Sequence, residues 1–130
     1  MVNGARMRQE EHNEQVNLMK WWSLAHFKFK IPERCLFAIP NGGQRNVITA
    51  KRLKDEGVRS GIPDLFLAVT TASFSGLFIE MKKAKGGRVS KHQEEMLKEL
   101  SERGYKTEVC HGWSEAVAAI QNYLGENPNA

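Results

Sequence analysis

Apolar residues recur along this chain with two different periods, and the changes of period mark its elements. Over residues 10–25, Leu18, Met19 and Trp22 fall with Gln15 at helical spacing, which predicts a helix. Residues 35–39 (CLFAI) form a compact strand candidate that runs into the turn signal Pro40-Asn41-Gly42-Gly43. Thr49 is placed to cap a short helix over residues 50–56, and Gly57 stands where a left-handed C-terminal residue is needed. Two further apolar runs, residues 65–69 and 77–81, read as strands joined by a Thr/Ser/Gly linker. A helix follows over residues 90–103, opened by the Ser90/Gln93 capping-box pattern and stopped at Gly104. Residues 106–110 (KTEVC) are the last strand candidate. Ser114 opens a final helix with Trp113, Val117, Ile120 and Leu124 on one face. Residues 1–9 read as a disordered N-terminal arm and 125–130 as a flexible tail, leaving one domain over 10–124.

This order predicts an α/β (α+β) fold, a small mixed central sheet flanked by helices. Composition changes the picture only through charge. The net charge of +4 is a mild basic bias, but the cations are clustered. Lys82, Lys83, Lys85, Arg88 and Lys91 follow one another with no acid between them, and Arg45, Lys51, Arg52, Lys54 and Arg59 form a second group. A basic run by itself is a solvated face; two flanking one site fit a polyanion such as DNA. The two cysteines, Cys35 and Cys110, border apolar runs and read as reduced core thiols. No CxxC or paired Cys/His spacing suggests zinc. No apolar run approaches the length of a membrane span, and the start lacks a signal-peptide core, so a cytoplasmic protein is expected.

The chemistry concentrates in residues 61–82. Asp64 stands at the entrance of one apolar strand and Glu80 lies inside the next, although burying an unpaired charge costs several kcal/mol, on the order of magnitude known for carboxylates. Alternation puts Phe78, Glu80 and Lys82 on one face of their strand. Pro63-Asp64 and Glu80-Met81-Lys82 together form the PD-(D/E)XK pattern of metal-dependent nucleases. Asp64 and Glu80, with the Met81 carbonyl, offer the hard oxygens that Mg²⁺ or Mn²⁺ prefers. Such a metal acidifies a bound water and neutralises phosphate charge, while Lys82 can position that water or stabilise the transition state. Gln93 has two readings, a capping-box partner of Ser90 or an inward residue that orients a ligand. Glu11 extends the Gln15/Leu18/Trp22 stripe and Glu14 lies one position off it; either acid also suits the first turn of a helix without any metal.

Taken together, these residues resemble the VRR-NUC nucleases, a branch of the PD-(D/E)XK superfamily, in their short standalone phage and bacterial form. The resemblance covers about residues 10–124. It rests on Glu11-His12-Asn13-Glu14-Gln15, Ile39-Pro40-Asn41-Gly42-Gly43 with Arg45, Gly61-Ile62-Pro63-Asp64, Ile79-Glu80-Met81-Lys82, Ser90 with Gln93, and Gly112-Trp113. It implies a restriction-endonuclease-like fold in which Asp64, Glu80 and Lys82 are the catalytic core. Gln93 is then the family's helix glutamine, and an acid of the first helix, Glu11 or Glu14, completes the metal site. The Val-Arg-Arg signature of the family's name is not found here, Arg45 being the nearest candidate. The resemblance further implies a homodimer that resolves four-way DNA junctions, since two symmetric cuts call for a C2 pair. Arg45, Lys51, Lys54, Lys83, Lys85, Arg88 and Lys91 are the expected DNA contacts. The competing readings are a restriction-like or flap- and end-processing nuclease with the same site, and a non-catalytic DNA-binding module. A structural reading makes Asp64 a turn residue, and Glu80 and Lys82 an exposed edge ladder.

Overall fold

The computed structural model describes residues 4–40 and 47–125, with side chains from Arg6 to Pro40 and from Thr49 to Gly125. Helix α1 (Gly4–Phe29) leads through a 3₁₀ turn (Glu33–Cys35) into β1 (Leu36–Ala38). Helix α2 (Val47–Asp55), β2 (Leu65–Leu67), β3 (Leu77–Lys82), α3 (Lys91–Glu102), β4 (Lys106–His111) and α4 (Trp113–Leu124) follow. The strands form one sheet in the order β1-β2-β3-β4, antiparallel at its first two pairings and parallel between β3 and β4. The parallel pair requires a crossover, and α3 supplies it. The small mixed sheet flanked by helices is therefore present as the order of elements predicts.

Strand alternation decides which face carries what. Leu65, Leu67, Leu77, Ile79 and Met81 point to one face and are fully buried against Leu18 and Trp22 of α1 and Ala116 and Ile120 of α4. Phe66 and Phe78 point to the other, their ring centroids 4.4 Å apart, and Tyr105 stands 5.2 Å from Phe78. Glu80 and Lys82 belong to this second face by the same alternation, and α3 lies over it, Ser101 meeting Thr107 of β4 at 3.1 Å. Glu80 and Lys82 therefore sit on the α3 side of the sheet, while the core face of α1 packs on the opposite side.

Several boundaries differ from expectation for identifiable reasons. Helix α1 begins at Gly4, so residues 4–9 are helical where an arm was expected. Polar contacts that carry no apolar period accompany the extra turns: Arg6–Glu10 at 3.5 Å, Gln9–Asn13 at 3.0 Å, and Lys83 reaching back to Glu10 at 3.8 Å. Cys35 closes the 3₁₀ turn instead of opening β1, and β2 ends at Leu67, two residues early. Thr49 lies inside α2 and not at its cap, because the helix starts at Val47. Trp113 begins α4 but is 37% exposed; the buried face is Ala116, Ala119, Ile120, Tyr123 and Leu124. Gly57 and Gly104 take the positive φ angles (103° and 97°) expected after α2 and α3, a region that L side chains enter at a cost. Both cysteines are free thiols, Cys110 within the core. Residues 126–130 and the stretch Asn41-Gly42-Gly43 with Arg45 lie outside the described residues. Among the described residues no helix is long and apolar enough to cross a membrane.

Candidate active site

The site forms where β2 begins too late to complete its ladder with β3. Their register pairs Leu65 with Ile79, and extending it by one residue sets Asp64 opposite Glu80. Beyond that point the Met81 N–H has no strand partner in β2, and the Asp64 carboxylate takes it instead, Oδ2 accepting at 2.7 Å. Buried Pro63 fixes the approach of the chain to this corner. In a strand the N–H and C=O of one residue point to the same side, so the Met81 carbonyl also faces the Asp64 side.

Glu80 and Lys82 are buried, and their partners come from α3. Gln93 Nε2 donates to Glu80 Oε2 at 3.0 Å, and Gln93 Oε1 accepts from Lys82 Nζ at 3.1 Å. Lys82 Nζ also stands 3.4 Å from Glu80 Oε2, closing a triangle of three side chains. The two readings of Gln93 prove compatible. Its Oε1 accepts from the Ser90 backbone N–H at 2.9 Å while Ser90 Oγ accepts from Gln93 N at 3.2 Å, a complete capping box. Starting the helix and orienting the lysine are one task, because the cap fixes the rotamer that reaches Lys82. The exposed-ladder reading of Glu80 and Lys82 is excluded by their burial.

Electrostatics mark the carboxylates as crowded. Burial, and then the neighbouring Asp64 charge, push Glu80 up to about 8 against the pull of Lys82. Asp64 is raised by burial, in opposition to the Met81 N–H and a hydrogen bond to Glu80. Glu11 is raised as well, by burial first, with Lys82, Lys83 and Asp64 all within electrostatic reach. Burial is thus the first cause of the rise at all three acids, and the Lys82 charge opposes it at each.

The two acids of the first helix lie in different surroundings. What reads as one stripe is two adjacent i, i+4 rows: Leu18 and Trp22 belong to the core, whereas Glu11, Gln15 and Met19 line a cavity that Asp64 and Met81 also border. Glu14 is one turn before Leu18, on the core row, and its Oε1 accepts from the Trp113 N–H at 2.8 Å, at the start of α4. Glu14 therefore caps α4, and Glu11 is the acid that shares a cavity with Asp64 and Met81. Glu14→Ala is expected to lower stability by about 1 kcal/mol, as loss of a helix cap does, with Glu14→Gln recovering part of it. Thermal unfolding of the two variants is the check; a melting temperature unchanged in Glu14→Ala would contradict the capping role.

The predicted DNA contacts are more scattered. Lys83 is tied to Glu10 and Lys51 to Asp55 at 3.0 Å, whereas Lys54, Lys85, Arg88 and Lys91 are exposed. Arg45 lies outside the described residues. Sequence reasoning did not find the cavity along α1 or its cations Arg8 and Lys20. The signal was available as two i+4 rows, 8/12/16/20 and 11/15/19/23, but both read as helix surface.

The family profile described as VRR-NUC domain matches residues 6–114, most of the chain. The chain belongs to the VRR-NUC family. A solved structure described as "VRR_NUC domain protein" superimposes with a TM-score of 0.75 at 27% identity, covering 87% of this chain and 86% of that one. No curated protein matches. VRR-NUC domains are nuclease domains, so the protein is a nuclease by family, and the mixed sheet with four helices is the fold it shares with that neighbour.

Proposed function

We propose that this VRR-NUC domain is a metal-dependent, structure-selective DNA endonuclease that cuts four-way junctions as a homodimer. The observation that carries the reading is the closed triangle of Glu80, Lys82 and Gln93 facing Asp64 across the end of the β2–β3 ladder.

The residues fit a Mg²⁺ or Mn²⁺ ion at Asp64 and Glu80, with the Met81 carbonyl as a third oxygen. Among the described residues no group of three His, Cys, Asp or Glu side chains stands ready to hold a metal. Mg²⁺ does not need one, since it keeps several waters and commonly takes one or two carboxylates with the substrate phosphate. Burial is the main reason that Asp64 and Glu80 are raised, so the corner brings two desolvated carboxylates together. An ion held there would acidify a water and offset phosphate charge. The chain's own part is positional. Gln93 holds Lys82 at the edge of the carboxylates, where its ammonium can orient the attacking water and stabilise the charge that develops on the phosphoryl oxygens. Glu11, on the cavity side, could accept a hydrogen bond from that water.

The dimer reading is supported by Leu24 and Phe27, 77% and 72% exposed and three residues apart on one side of α1. A second copy would cover them and supply the second cut.

Incubation with linear duplex, flap and four-way junction DNA, each with Mg²⁺, Mn²⁺ or EDTA, tests this function. Metal-dependent, paired cleavage of the junction in preference to the duplex is expected. Cleavage of the flap or duplex alone would replace the resolvase reading by an end-processing or restriction-like one, and no cleavage of any DNA would remove the enzyme reading.

A further inference from the structure

The catalytic corner opens into a hollow of about 710 Å³ along α1. Its volume is that of a small-molecule site and is far more than a hydrated ion needs. The hollow is not uniform. Glu11, Asp64 and Met81 join it to the catalytic corner, Val16, Met19 and Ile39 add apolar surface among polar neighbours, and the cations Arg8 and Lys20 stand about three turns apart on α1. Both cations are exposed and make no ion pair among the described residues.

Resting on the nuclease reading, we propose that this hollow seats the nucleotide beside the cut phosphate, unstacked from its neighbours, with Arg8 and Lys20 holding the phosphates to either side. The apolar part of the lining, Val16, Met19 and Ile39, is a poor seat for a phosphate or for ordered water but a good one for a base or sugar face. Enzymes that draw a base out of its stack hold it between apolar or aromatic side chains in this way. Lys20 lies about 13 Å from Glu11 along the helix, farther than one sugar–phosphate unit reaches, so it meets a phosphate beyond the seated nucleotide. A stacked duplex cannot fill such a hollow without losing a base pair. A branch point has weaker stacking to lose, so selectivity for branched DNA follows from the energy of unstacking and needs no base-specific contact.

The test is binding in EDTA, which keeps it separate from cleavage. Affinity for a four-way junction is measured over a salt series for wild type, Arg8→Ala, Lys20→Ala and, as a control on the far side of α3, Lys98→Ala. Each of the first two should weaken binding severalfold and reduce the log–log salt slope by about 0.7 to 0.9, the share of one phosphate contact. Lys98→Ala should match wild type. Alongside, 2-aminopurine is placed in turn at each branch nucleotide of the junction. One position should brighten severalfold on binding wild type, and Val16→Trp, which fills the hollow, should abolish that rise while the protein still binds the junction. Unchanged salt slopes in both Arg8→Ala and Lys20→Ala, or no brightening at any branch position, would overturn the proposal. Neither result touches the nuclease reading, which fails only if no DNA is cut with metal present.

Discussion

Lys82→Ala is expected to lower the rate of DNA cleavage at saturating substrate by about a thousandfold, within the range lost when a general acid–base or charge-stabilising group is removed. Two features of its setting make the effect large. Its ammonium is nearly buried, and it is held by two contacts, Gln93 Oε1 at 3.1 Å and Glu80 Oε2 at 3.4 Å. No neighbouring cation can take its place directly, because Lys83 alternates to the other side of the chain and engages Glu10. Single-turnover kinetics beside DNA binding separate the roles. Cleavage lost with binding nearly intact supports action on the reacting phosphate, whereas equal loss of both would make Lys82 a phosphate contact. Arginine should not restore the rate, since a planar guanidinium cannot occupy the ammonium's place between Gln93 and Glu80.

The metal-free protein should lose stability as the pH rises. Glu80 has an ordinary value of 4.5 that burial and the Asp64 charge push up to about 8 in the folded chain. The folded state thus holds this proton more tightly than the unfolded state does. Its contribution is fully present below about 4.5 and is lost as the pH climbs through about 8. Asp64 and Glu11 shift in the same direction and add to the trend. Thermal unfolding in EDTA should therefore show a melting temperature several degrees lower at about pH 8 than at about pH 5, from a difference on the order of a few kcal/mol at most. Added Mg²⁺ should raise stability most at the alkaline end, where both carboxylates are ionised and free to bind it. Glu80→Gln should flatten the metal-free slope. A melting temperature that rises over this interval in EDTA would contradict the assignment of crowded carboxylates.

Much of this site was legible because strand alternation is a rigid rule. Once Glu80 and Lys82 are placed in one strand they must share a face, and the Ser90/Gln93 spacing fixes where the next helix begins. Each of these local facts survives tertiary context. The first helix was less legible because adjacent i, i+4 rows lie close together around a helix, and only the packing partner separates them. The sheet takes the Leu18/Trp22 row, which gives Glu14 to the α4 terminus and leaves Glu11 for the site. Residues 4–9 carry too few apolar positions to show a helical period, and their turns are accompanied by Arg6–Glu10 and Glu10–Lys83. The second of these is a contact across the fold. The α1 hollow was invisible for a similar reason: it is defined by Ile39, Asp64 and Met81, brought beneath the helix by β1, β2 and β3.

The central claim is that Asp64, Glu80 and Lys82 form a working, metal-dependent phosphodiesterase site. It is tested most directly by Mg²⁺ titration of four-way junction cleavage, wild type beside Asp64→Asn, with folding of both confirmed by circular dichroism. Cleavage that appears with Mg²⁺, vanishes with EDTA and is absent from a folded Asp64→Asn protein is the predicted result; cleavage that persists in EDTA, or at the wild-type rate in Asp64→Asn, would contradict it.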